Sequence, residues 1–82
     1  MARVYVYVIM SAEGFRYIGI TDDLDRRIME HNDHSLSFWT KRGTNWKIVH
    51  VEDYPSPSEA MKREKWLKSG VGREFLKRKG LK

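Results

Sequence analysis

Residues 3–10, RVYVYVIM, alternate in β-branched and aromatic side chains, with Arg3, Tyr5, Tyr7 and Ile9 on one face and Val4, Val6, Val8 and Met10 on the other. A period of two in such residues predicts a strand. The polar SAEG at 11–14 is a turn, and FRYIGI at 15–20 is the returning strand of an antiparallel hairpin. Past Thr21 the chain reads as a helix. Asp22 is placed to cap it, with Asp23 and Asp25 in the first turn at the positive end of the dipole, and it runs to about Asn32. Residues 33–44, DHSLSFWTKRGT, read as a loop, and WKIVHVEDY at 46–54 as a third strand. Ser56, Pro57 and Glu59 form a helix start (cap, first position and capping box) for a helix reaching about Lys68. SGVG at 69–72 breaks that helix, and a short basic helix follows from Arg73 to about Lys79. The order β-β-α-β-α-α predicts an α+β fold, a small three-stranded antiparallel sheet flanked by helices, in one domain over residues 1–82.

Two helical stripes contain residues that do not belong in an apolar core. With Leu24 at zero and 100° per residue, Ile28 lies roughly 40° round, His31 roughly 20° back and Arg27 roughly 60° back. Arg26 and Glu30 fall on other faces. On the second helix Glu64 sits between Ala60 and Leu67, in the middle of the stripe, while Lys62, Arg63 and Lys65 spread around the outside. An ionised carboxylate facing a core costs several kcal/mol (roughly) unless it is paired or holds a metal. Three arrangements satisfy this pattern: an ion pair between Glu64 and Arg27, a rotated helix that lets both reach water, or a site that uses them. His31 by itself fits a structural histidine, and Tyr5, Tyr7 and Tyr17 by themselves fit strand aromatics.

Composition narrows the choice. A chain of 82 residues buries only about 60–65% of its unfolded surface, so each inward polar group is costly. There is no cysteine, which excludes disulfides and thiolate metal sites. No apolar run approaches the roughly 18 residues of a membrane-spanning helix, and the N-terminus lacks the continuous apolar stretch of a signal peptide. A cytoplasmic protein with no membrane association is expected. The net charge is +5, with the excess concentrated in KREKWLKSGVGREFLKRKGLK at 62–82. Such a run suits a polyanion, nucleic acid before an acidic membrane surface, and equally suits a solvated helix face.

If the hairpin and the two helices converge, two phenols, a guanidinium, an imidazole and a carboxylate share one pocket. A single carboxylate suits Mg²⁺, which keeps several waters and takes substrate phosphate. Arginine offers a fixed fork for phosphate oxygens and offsets charge in a transition state. A phenol ordinarily titrates near 10, and nearby cations are expected to lower it toward use as a base on water. Together these parts point to phosphodiester hydrolysis.

With those residues assembled, the chain resembles a GIY-YIG nuclease domain. Tyr17-Ile18-Gly19 is the second half-motif and Tyr5-Val6-Tyr7 the first, with Tyr5 where the family has glycine. Arg27, His31 one turn later, and Glu64 in EAMKREKWLK match the remaining site positions. The resemblance covers nearly the whole chain and is to small stand-alone members related to the nuclease domain of the excision-repair incision subunit. It implies a metal-dependent endonuclease acting on DNA, in repair or recombination. Arg27 would bind the scissile phosphate, and Glu64 would hold one divalent metal, Mg²⁺ with Mn²⁺ as the alternative. Tyr7 or Tyr17 would activate water, helped by the other or by His31. Lys41, Arg42, Lys62, Lys65 and Arg73 would follow the nucleic-acid backbone, with Trp39 able either to stack on a base or simply to pack within its loop. An Asn carried by some larger members after the metal helix has no clear counterpart, and a partner protein supplying specificity stays open. Two rival readings are a non-catalytic nucleic-acid-binding module and a protein-interaction module docking through exposed aromatics such as Trp66.

Overall fold

Val4–Met10 forms β1, and its alternation serves two cores at once because this strand is central in a sheet of order β2-β1-β3. β2 spans Arg16–Thr21 and β3 Lys47–Tyr54, both antiparallel to β1. The computed structural model describes residues 3–33 and 43–80. Its element order is the one the sequence pattern predicts, completed by α1 (Leu24–Asn32), α2 (Pro57–Lys68) and α3 (Gly70–Arg78). No helix among the described residues is long and apolar enough to cross a membrane.

One face of the sheet carries Val6, Val8 and Ile18 against Ala60 and Leu67 of α2 and Leu76 of α3. The other carries Tyr7, Ile9 and Trp46, with Tyr17 and the α1 residues Leu24 and Ile28 packed against them. The helices therefore lie on opposite faces, α1 on one and the α2–α3 pair on the other. Asn32 ties the end of α1 to the start of β3. Its amide donates to the Trp46 carbonyl at 3.1 Å and accepts from the Trp46 N–H at 2.7 Å. A half-buried cluster fixes α2 to β3. Arg63 forks onto both oxygens of Glu52 at 2.8 and 3.0 Å, while the Tyr54 hydroxyl (2.6 Å) and His50 Nε2 (2.8 Å) take the remaining sites on that carboxylate.

Two helix starts differ from the sequence reading. The cap of α1 is Asp23, whose side chain accepts from the Arg26 N–H at 3.1 Å. Thr21 causes the shift, because its hydroxyl accepts from the Asp23 N–H at 3.1 Å and keeps the chain extended one residue longer. Asp22 instead meets the Arg26 side chain at 3.4 Å. SGVG at 69–72 is likewise the start of α3 and not a gap before it. Ser69 closes α2 and caps α3 by accepting from the Gly72 N–H at 3.3 Å. β2 is displaced by one residue from the sequence reading and β3 begins one residue later with the same end, leaving Trp46 buried just ahead of β3.

Candidate active site at the free edge of β2

Tyr7 and Gly19 are direct partners across β1 and β2, so their side-chain directions coincide. The Tyr7 ring uses the space above Gly19. A Cβ on residue 19 would lie 2.6 Å from the Tyr7 hydroxyl oxygen, 2.8 Å from the carbon bearing it and 3.0 Å from the Tyr17 ring. Glycine is thus required here by crowding, and it lets the phenol reach across β2, an edge strand. Tyr17 stands two residues earlier on the same face, its ring centroid 6.3 Å from that of Tyr7.

Helix α1 delivers two more groups. His31 is fully buried, with Nε2 2.7 Å from the Tyr7 hydroxyl and its ring 4.7 Å from that of Tyr17. Arg27 donates from Nε to the Tyr7 oxygen at 3.3 Å and from Nη1 to Glu30 at 2.9 Å. Burial opposes the guanidinium charge, but its bonds to Tyr7 and Glu30 outweigh that and hold it protonated. Burial, assisted by the charge of Arg27, pushes His31 down to about 4. The imidazole is therefore neutral at pH 7. Burial pushes the Tyr7 phenol up to about 12, against the opposing hydrogen bond from Arg27. This reverses the expectation that neighbouring cations lower the phenol, because the Tyr7 side chain has left water almost completely. The oxygen of Tyr7 already accepts from Arg27, so its O–H is the natural donor to His31 Nε2. That assignment makes His31 the tautomer protonated on Nδ1.

Glu64 arrives from α2, on the opposite face of the sheet. It is half-buried, and its negative charge adds a minor upward push to the Tyr7 phenol. Arg27 pairs with Glu30 and Glu64 with Lys68, at 3.2 Å, so of the arrangements the sequence left open the Arg27–Glu64 ion pair is not formed, and each takes a partner along its own helix. Among the described residues no group of three or more acidic, histidine or cysteine side chains is arranged to hold a metal ion. A metal caged by protein alone does not fit. A hydrated divalent ion held by the Glu64 carboxylate does, since Mg²⁺ commonly takes one or two protein carboxylates and keeps its waters.

The other anticipated residues separate. Arg73 lines a cleft of about 550 Å³ that also touches Tyr17 and Lys68. Lys62 and Lys65 are exposed and do not line that cleft. Lys41, Arg42 and Trp39 lie outside the described residues. Trp66 is half-buried and not an exposed docking aromatic: Phe75 packs edge-on at 5.6 Å and Arg63 stacks at 4.3 Å. Arg16 and Lys68 were missed at the site. Their signals were present in sequence, Arg16 adjoining Tyr17 and Lys68 one turn beyond Glu64, but both read as ordinary surface charge.

A family model described as the GIY-YIG catalytic domain matches residues 3–78. The chain belongs to the GIY-YIG family. Its relatives include a UPF0213 protein of Halobacterium salinarum, 41% identical over 64 residues that make up 78% of this chain and 83% of that one. A UPF0213 protein of Staphylococcus saprophyticus is 32% identical over 94% of both chains. The solution NMR structure of a UPF0213 protein from Bacillus halodurans is similar with a TM-score of 0.54 and 33% identity, covering 90% of this chain and 81% of that one. In this GIY-YIG domain the two half-motifs are the paired strands β1 and β2, and the glycine of the second is the surface over which the tyrosine of the first lies.

Proposed function

We propose that this GIY-YIG domain is a metal-dependent endonuclease that hydrolyses phosphodiester bonds in DNA. The observation that carries the reading is the Arg27–Tyr7–His31 chain, a protonated guanidinium and a buried neutral imidazole meeting on one phenol. A phenol at about 12 is a poor base at pH 7 unless its own proton has somewhere to go. His31 Nε2 supplies that acceptor. As Tyr7 takes a proton from water, its O–H proton passes to Nε2, and the hydroxide attacks phosphorus. The Tyr7 oxygen stays neutral at both ends of the step, which suits its low-dielectric surroundings.

The outer nitrogens of Arg27 face charge developing on the phosphate, with Tyr17 beside them as a hydrogen-bond neighbour. Glu64 would hold Mg²⁺, or Mn²⁺, whose chemistry when bound is to neutralise phosphate oxygen and the leaving alkoxide. In this reading Lys41, Arg42, Lys62 and Lys65 would contact the DNA backbone. It includes a cytoplasmic role in repair or recombination and leaves room for a protein partner that supplies specificity.

Labelled single-stranded, duplex, flapped and branched DNAs, with RNA counterparts, test the activity in Mg²⁺ or Mn²⁺. Cleavage should require the metal and fall by about 10²–10³ in Arg27→Ala and in Glu64→Ala. Binding without cleavage, or cleavage that survives both substitutions, would leave a nucleic-acid-binding module instead.

A further inference from the structure

Two clefts meet along the seam between β2 and the α2–α3 pair. The first, of about 550 Å³, has Ile18 and Leu67 in its lining and Arg16, Tyr17, Lys68 and Arg73 around it. The second, of about 690 Å³, runs along α3 past Glu74 and Lys77. Arg16 and Arg73 belong to both, so the two form one continuous groove. Its head is Tyr17, the tyrosine packed against the Tyr7–His31 pair.

The groove is cationic. Arg16, Lys68, Arg73 and Lys77 line it, with Glu74 the one acid in the lining and Glu64 paired to Lys68 beside it. Among the described residues Arg73 and Lys77 enter no ion pair, whereas Arg3, Arg26, Arg27 and Arg63 each have a carboxylate partner. Asp22, Asp23, Asp25 and Glu30 lie at and along α1, the helix on the other face of the sheet. Like charges along one concave wall raise its potential and attract a polyanion.

Clefts of about 300–1,000 Å³ enclose a drug-sized ligand, so each half of this groove has room for a nucleotide or two of one strand. The Tyr17 ring at its head offers a stacking surface where the chain would leave the site. We infer that this groove carries the phosphodiester backbone of one nucleic-acid strand away from the Tyr7 site, with Arg16, Arg73 and Lys77 on successive phosphates. The inference rests on the nuclease reading and adds the path of the substrate to it. Lys68 stands where the groove meets Glu64, at the junction of backbone and metal-holding carboxylate.

Anisotropy of a labelled single-stranded DNA 20-mer, with chelator present to prevent cleavage, tests the path in the full chain. Arg16→Gln, Arg73→Gln and Lys77→Gln are compared with Lys47→Gln, an exposed residue of equal charge on β3 at the far side of the sheet. Each groove variant should weaken binding about five- to tenfold and reduce the salt slope by about 0.7, the loss of one phosphate contact on a single strand. Lys47→Gln should stay within about twofold of the parent. Equal weakening in all four variants would reveal a diffuse charge effect and overturn the assignment. So would parent-like binding in Arg73→Gln and Lys77→Gln, whose exposed positions leave the fold intact.

Cleavage at saturating DNA separates this inference from the nuclease reading. Weak binding by the groove variants of a protein that cleaves nothing would keep the groove and remove the nuclease. Cleavage with unaltered binding in all three would do the opposite.

Discussion

Gly19 shows how a residue without a side chain shapes a site. The Tyr7 hydroxyl occupies the place a Cβ would take, and Tyr7 is only 2% exposed, so its ring has nowhere to retreat. Gly19→Ala should therefore lower the unfolding free energy by about 1–3 kcal/mol, the usual cost of overpacking. Its effect on cleavage should be larger, because a shift of a few tenths of an ångström lengthens both the His31 and the Arg27 contacts of the phenol. Urea denaturation and single-turnover kinetics on the same preparation check this. An unchanged midpoint with full activity would mean that the ring does not depend on the glycine. Arg27, His31 and Glu64 were legible as out-of-place polar residues on apolar helix stripes, and Tyr7 and Tyr17 through the two half-motifs on the hairpin. The raised titration of Tyr7 was not, because it depends on how fully the neighbours exclude water, and period and spacing do not encode that.

At the scale of elements, a close backbone contact sets the joint between α2 and α3. A Cβ on Gly72 would strike the Trp66 carbonyl and the backbone of Leu67, neither of which can rotate away. Gly70, two residues earlier in the same helix, has open space at the same position. Gly72→Ala should destabilise by about 2 kcal/mol or more despite the better helix propensity of alanine, whereas Gly70→Ala should be neutral or gain up to about 1 kcal/mol. Thermal unfolding of the pair reads the difference, and equal effects would contradict the joint. The six elements were visible from periodicity and from the Ser56-Pro57-Glu59 start. The start of α3 was misplaced because SGVG resembles a breaker until Ser69 is seen to cap and Gly72 to dock.

At the scale of the whole molecule, buried groups whose titration differs from the unfolded chain control the response to acid. His31 drops to about 4 from 6.5, so between those values the unfolded chain binds more protons than the folded one. Its contribution is complete above about 6.5 and is lost as pH falls toward 4, to a total of about 3 kcal/mol. Glu52 is raised by burial, but hydrogen bonds from Arg63, Tyr54 and His50 outweigh that and hold it at about 2, which extends the loss below 4.5. Urea midpoints from pH 7 to 4 should fall steadily, and His31→Gln should flatten the upper part of that slope. A parent midpoint constant down to pH 5 would show that His31 is not held neutral by burial. Local residue choice determined the order of elements, the strand faces and the chemical types available to a site, because periodicity, capping and side-chain chemistry are local properties of a chain. Tertiary structure alone decided that α1 and the α2–α3 pair take opposite faces of the sheet, and that Arg27 and His31 meet on the Tyr7 hydroxyl. It alone joined Arg16, Arg73 and Lys77 into a groove. Both outcomes depend on where the sheet ends, and on how far a phenol reaches across a glycine, which no single segment specifies.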